Sequence, residues 1–73
     1  MSKLPLISGQ ECIKALTKIE FYFKRQEGSH IILRRDNPFC QITVPNHKNI
    51  DRGTLRSIIK QTGLSIDDFN DLL

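Results

Sequence analysis

Two histidines hold the best acid–base prospects in the chain: His30, in Gly28-Ser29-His30, and His47, in Val44-Pro45-Asn46-His47-Lys48. An imidazole titrates near neutrality, so it can take up or give away a proton where most side chains are fixed in one state. Ser29 has no acid–base chain behind it and makes a poor nucleophile. Asp67, Asp68 and Asp71 could be counted as metal ligands. Asp67 and Asp68, however, fall in the first turn after Ser65, where a helix dipole favours negative charge, and no His or Glu in the segment completes a ligand set. Cys12 and Cys40 are too few for a disulfide framework and lack zinc-site pairing. Both fall at apolar positions, as buried free thiols of a reducing compartment do. No phosphate loop or dinucleotide fingerprint is present. The expectation is no metal and no cofactor. By spacing alone a lone His30 fits an ordinary turn histidine better than a catalyst. His47 has three readings: a second acid–base group, a phosphate donor, or a loop-ordering residue. Asn46 beside it favours the last.

With 73 residues, the chain reads as one domain over residues 1–73 with a small core, since chains of this size bury only roughly 60% of their unfolded surface. Any chemistry must be done by a few side chains on an open surface. Eleven Lys and Arg against eight Asp and Glu give a net charge of +3 and a pI near 9.1, a lean towards polyanionic partners. No window approaches the roughly 18 apolar residues of a membrane span, so a cytoplasmic, uncleaved protein is expected.

The elements that must position the histidines follow from hydrophobic period. Ser8 and Glu11 have capping-box spacing with Ile7 as a staple, and Cys12, Ala15, Leu16 and Ile19 repeat at helical intervals. The period then becomes alternating from Phe21 through Gln26. Glu27-Gly28 reads as a tight turn, Ser29 to Arg35 as a second strand, Asp36-Asn37-Pro38 as a second turn and Phe39 to Val44 as a third strand. Asp51 can cap a second helix with Leu55, Ile58 and Ile59 inward and Gly63 as its stop. Ser65 caps a last short helix. The predicted fold class is α+β: helix, three-stranded antiparallel sheet, helix and a short C-terminal helix, with both main helices on one face of the sheet.

Strand parity then assigns the faces. Phe21, Phe23, Ile31, Leu33, Cys40, Ile42 and Val44 point inward. Tyr22, Lys24, Gln26, His30, Ile32, Arg34, Phe39, Gln41 and Thr43 point outward. The outward set mixes cations, rings and one histidine, which suits RNA: cations meet phosphate and rings stack on unpaired bases. A merely solvated face is the plainer alternative. RNA also carries its own nucleophile, the 2′-hydroxyl, so one positioned imidazole with nearby cations is a workable minimum for cleavage. Lys24, Arg34, Lys48 and Arg52 are the candidate RNA-binding cations. Lys48 and Arg52 flank the start of the second helix, where phosphate is attracted. Arg34 and Arg35 form the densest positive spot, one on each face.

The series Leu4-Pro5, Ser8-Gly9, Arg25-Gln26-Glu27-Gly28-Ser29-His30, Val44-Pro45-Asn46-His47 and Asp51-Arg52-Gly53-Thr54-Leu55-Arg56 resembles the HicA family of toxins, in order and over nearly the whole chain. The resemblance implies a fold like the double-stranded-RNA-binding domain and an mRNA endonuclease whose catalytic histidine is His30. It also implies a HicB-type antitoxin partner and a role in growth arrest under stress. It overturns the plain reading of His30. Family members often have Gly where this chain has Glu20, and often a Gly in the turn formed here by Asp36-Asn37-Pro38. Two other classes compete: a non-catalytic RNA-binding module, and a protein-interaction domain using Tyr22, Ile32 and Phe39.

Overall fold

The computed structural model describes residues 3–73; Met1 and Ser2, the start of the N-terminal stretch considered above, lie outside it. The elements run α1 (Gly9–Thr17), β1 (Tyr22–Glu27), β2 (His30–Asp36), β3 (Phe39–Pro45), α2 (Arg52–Thr62) and α3 (Ile66–Asn70). This is the α+β helix–sheet–helix layout expected from the sequence. Local chemistry sets the helix ends. The Ser8 hydroxyl accepts from the Glu11 N–H at 3.1 Å, and the Glu11 carboxylate accepts from the Ser8 N–H at 2.9 Å, the reciprocal box that satisfies orphan donors at a helix start. Gly63 stops α2 in the left-handed region, at φ 83°. Ser65 caps α3 through the Asp68 N–H.

The exit from α1 is where this chain departs from the glycine often found in the family. Glu20 has φ 73°, a conformation that costs an L-residue about 1–2 kcal/mol and a glycine almost nothing. Glu20 is exposed, so its side chain offsets little of that cost. Glu20→Gly is expected to raise stability by about 1 kcal/mol, or roughly 4–8 °C in a domain this small. A thermal melt with no gain would mean that the backbone at Glu20 is held by something other than its neighbours in the turn.

The strands form one antiparallel meander in the order β1-β2-β3. The first turn falls one residue later than predicted. Glu27 pairs with His30, leaving Gly28-Ser29 as the two-residue connection. Gly28 has φ 61° and is the only residue of the pair at positive φ, which places glycine at the first central position as a type II′ hairpin requires.

The parity reading of β1 fails at a bulge. Tyr22 pairs with Arg34 and Phe23 with Leu33, but the next pairing is Arg25 with Ile32, so Lys24 is the extra residue and drops out of the ladder. Past it the alternation is inverted: Arg25 and Glu27 share the open face with His30, while Gln26, predicted outward, pairs with Ile31 on the helix side. Phe23 does lie on the helix side by register, yet it is 60% exposed rather than buried. The reason is where the helices sit. Both α1 and α2 pack over β3, and all six residues of β1 are exposed. Ile32 departs in the opposite sense. It lies on the open face but is only 6% exposed and is not part of the helix-side core, so its neighbours on that face cover it.

The core gathers between sheet and helices. Cys12, Leu16, Leu33, Ile42, Val44, Leu55, Ile58 and Phe69 are its largest fully buried side chains, each apolar group of this size contributing about 1.5–3 kcal/mol. Burial pushes the Cys12 thiol up to about 12, which removes it as a nucleophile near neutral pH. No helix among the described residues is long and apolar enough to cross a membrane.

Candidate active site

His30 opens β2, paired with Glu27 across the hairpin and with Pro45 on β3. Its side chain is exposed. The turn that delivers it is tied to the far strand: the Asn46 N–H donates to the Ser29 carbonyl at 2.6 Å. The Glu27 carboxylate across the hairpin is engaged by Arg25.

The loop from Asn46 to Ile50 is strapped to the start of α1. The Gly9 N–H donates to the His47 carbonyl at 2.9 Å and the Ile50 N–H to the Ile7 carbonyl at 2.9 Å. Gln10 Nε2 donates to Asn46 Oδ1 at 3.0 Å. Gly9 is required here by close approach, because a Cβ at this position would collide with the Pro45 carbonyl oxygen. The loop ordering expected of His47 therefore falls to its backbone carbonyl and to Asn46, and the residue also lines a pocket.

That pocket joins the two histidines. It has a volume of about 370 Å³ and is lined by His30, Thr43, Pro45, His47, Asp51 and Thr54. The Asp51 carboxylate accepts from the Gly53 and Thr54 N–H groups at 3.1 and 3.3 Å, so α2 arrives with its first donors already capped by an anion. A larger concavity of about 530 Å³, between α1 and Leu72–Leu73, holds no histidine.

The four candidate cations are not brought to one spot. Arg34 lies on the open face, four residues along β2 from His30, with its guanidinium bound to Gln41 Oε1 at 3.1 and 2.8 Å and 5.6 Å from the Phe39 ring centre. Arg35 points to the other face, over the buried Phe21 ring at 4.8 Å. Lys24 stands in the bulge on the exposed edge strand. Lys48 is exposed in the strapped loop. Arg52 lines a separate pocket of about 370 Å³ with Lys3, Leu4, Arg56 and Ile66. Among the described residues, no three His, Cys, Asp or Glu side chains gather where they could hold a metal ion.

Sequence reasoning missed three contributors. Thr43 and Thr54 reach the pocket from β3 and α2, and Gly9 fixes the loop. The presence of Ser8-Gly9 in the family-like series was the available signal for Gly9. Parity placed Thr43 on the outward face with His30 without a site role, and nothing local marks Thr54.

Fold and pocket together define a class: a small α+β domain whose helices back one face of a sheet, with two imidazoles at one end of the open face. The family model described as the HicA toxin of bacterial toxin–antitoxin matches residues 9–64, a stretch that runs from α1 through α2 and includes both histidines. The chain belongs to the HicA toxin family. Membership in a toxin–antitoxin family implies an antitoxin partner. No curated protein and no solved structure matches the chain.

Proposed function

We propose that this chain is the toxin of a type II toxin–antitoxin system and cuts mRNA in the cytoplasm as an endoribonuclease that needs no metal. The observation carrying this reading is that His30 and His47 line one pocket at the end of the open sheet face. His30 takes the proton from a ribose 2′-hydroxyl, and the 2′-oxygen attacks the adjacent phosphorus. A 2′-O–P bond forms and the P–O5′ bond breaks. The departing 5′-oxygen takes its proton from His47. The products are a 2′,3′-cyclic phosphate and a free 5′-hydroxyl, with the two imidazoles left in exchanged protonation states that solvent resets. The substrate supplies the nucleophile and the protein supplies position and proton transfer.

Lys24, Arg34, Lys48 and Arg52 supply phosphate contacts along the strand. Each is expected to contribute about 0.7 to the log–log salt dependence of single-stranded RNA binding. Neutralising one should flatten the slope by that amount, and an unchanged slope in all four variants would dismiss this footprint. The partner in this reading is a HicB-type antitoxin that covers the His30 face. Protection of His30 from histidine-directed modification in the complex checks that contact, and full modification in an inhibited complex would point to inhibition at a distance.

The direct test is to add the purified chain to a long RNA with and without chelator. Cutting should persist in chelator, the new 3′ ends should be cyclic phosphates, and RNA lacking 2′-hydroxyls should stay whole. Loss of activity in chelator, or cutting of the 2′-deoxy strand, would refute the mechanism. A gel shift with no cutting would leave a non-catalytic RNA-binding module.

A further inference from the structure

The end of the open face opposite His30 has its own construction. Tyr22, Arg34 and Gln41 form one row across the three strands, and Asp36 and Phe39 form the next. Arg34 is fixed by two hydrogen bonds to Gln41 and lies over the Phe39 ring. The Tyr22 hydroxyl donates to Asp36 Oδ1 at 2.8 Å, and that bond raises the pKa of the phenol. Phe39 nevertheless stays 68% exposed. An exposed aromatic ring beside a half-buried planar guanidinium held in place by hydrogen bonds is a preformed stacking surface. We infer that the Arg34–Phe39 pair is a base-stacking subsite for an unpaired nucleobase of the RNA strand whose phosphate is cut at His30. This inference rests on the proposed ribonuclease reading and adds the substrate feature that the toxin recognises away from the scissile bond.

Spacing and the scarcity of exposed aliphatic surface favour this occupant. Arg34 lies four residues along β2 from His30, or about 13 Å at roughly 3.3 Å per residue. That distance matches about four stacked bases at 3.4 Å each, or fewer in an extended strand. The face between carries Arg25 ion-paired to Glu27, and its one aliphatic group, Ile32, is 6% exposed. An apolar protein partner would find little to bury there, whereas a phosphate-linked base finds a ring and a cation. A base stacked on an aromatic side chain is worth enough for a roughly 5- to 100-fold change in affinity.

The probe is a 2′-O-methyl oligonucleotide, which cannot be cut because its nucleophile is blocked, carrying a single abasic site stepped along the strand. Wild-type protein is expected to lose roughly 5- to 100-fold in affinity at one position on one side of the cleavage point. Phe39→Ala should erase the dependence at that position alone, and Phe39→Tyr should restore it. Melting curves should match throughout, since the ring is mostly exposed. Equal abasic penalties in wild type and Phe39→Ala overturn the subsite even if the chain cuts RNA. The coupling found in a chain that does not cut RNA keeps the subsite and discards the nuclease reading. If Phe39→Ala binds RNA normally but fails to bind the antitoxin, the surface belongs to the protein partner and the inference is wrong.

Discussion

If the proposed cleavage holds, replacing His30 with alanine is expected to leave a folded protein that still binds RNA but cuts it roughly 10²- to 10⁴-fold more slowly, the usual contribution of one positioned acid–base group. The fold tolerates the change because His30 is exposed. What holds β2 at this point is the backbone pairing to Glu27 and Pro45, which alanine keeps. Affinity is retained because none of the four proposed phosphate cations is removed. The measurement is melting temperature, RNA affinity and single-turnover cleavage on one preparation. A folded variant that cuts at near-normal rate would end the assignment of His30 as the base. A variant that melts far below wild type would show that His30 supports the hairpin.

His47→Ala is expected to cost a comparable roughly 10²- to 10⁴-fold, but only when the leaving oxygen needs a proton. The alanine keeps the carbonyl that accepts from Gly9, and Asn46 keeps its bonds to Ser29 and Gln10, so the loop should hold its place. Replacing the bridging 5′-oxygen with sulfur supplies a leaving group that departs as a thiolate without protonation. On that substrate His47→Ala should approach the wild-type rate, while His30→Ala stays slow because the 2′-hydroxyl still needs a base. If the two variants stay equally defective on the sulfur substrate, His47 positions the strand and is not the acid. If His47→Ala is unimpaired on ordinary RNA, it has no part in the chemistry.

What could be read from the sequence, and what could not, divides by range. The caps at Ser8, Asp51 and Ser65 and the stop at Gly63 are fixed by atoms within a few residues, so residue type at a given spacing was enough. The faces of β2 and β3 follow simple alternation with one lateral exception, Ile32, whose burial depends on what its cross-strand neighbours cover. The facing of β1 was not legible past Phe23, because a bulge at Lys24 inverts parity without altering composition. The meeting of His30 and His47 is set by the β2–β3 register and by the hydrogen bonds that strap the loop to the start of α1, from Gly9 to the His47 carbonyl and from Ile50 to the Ile7 carbonyl. No periodicity encodes such a meeting. The family-like series put both histidines in view but left the role of His47 open, and the structure moves the loop-ordering task to its backbone.

The bulge at Lys24 has a consequence for how copies of this chain meet one another. β1 is an edge strand with its outer hydrogen-bonding groups uncovered and two aromatic side chains, Tyr22 and Phe23, exposed on it. Such an edge templates sheet growth between molecules when it is long and regular. Lys24 divides it into Tyr22–Phe23 and Arg25–Glu27, each shorter than the six or seven residues from which self-stacking fibrils are built. It also sets a positive charge at the break, where two copies aligned edge to edge would repel. The interruption that defeats parity reading thus guards the exposed aromatic edge against amyloid-like growth.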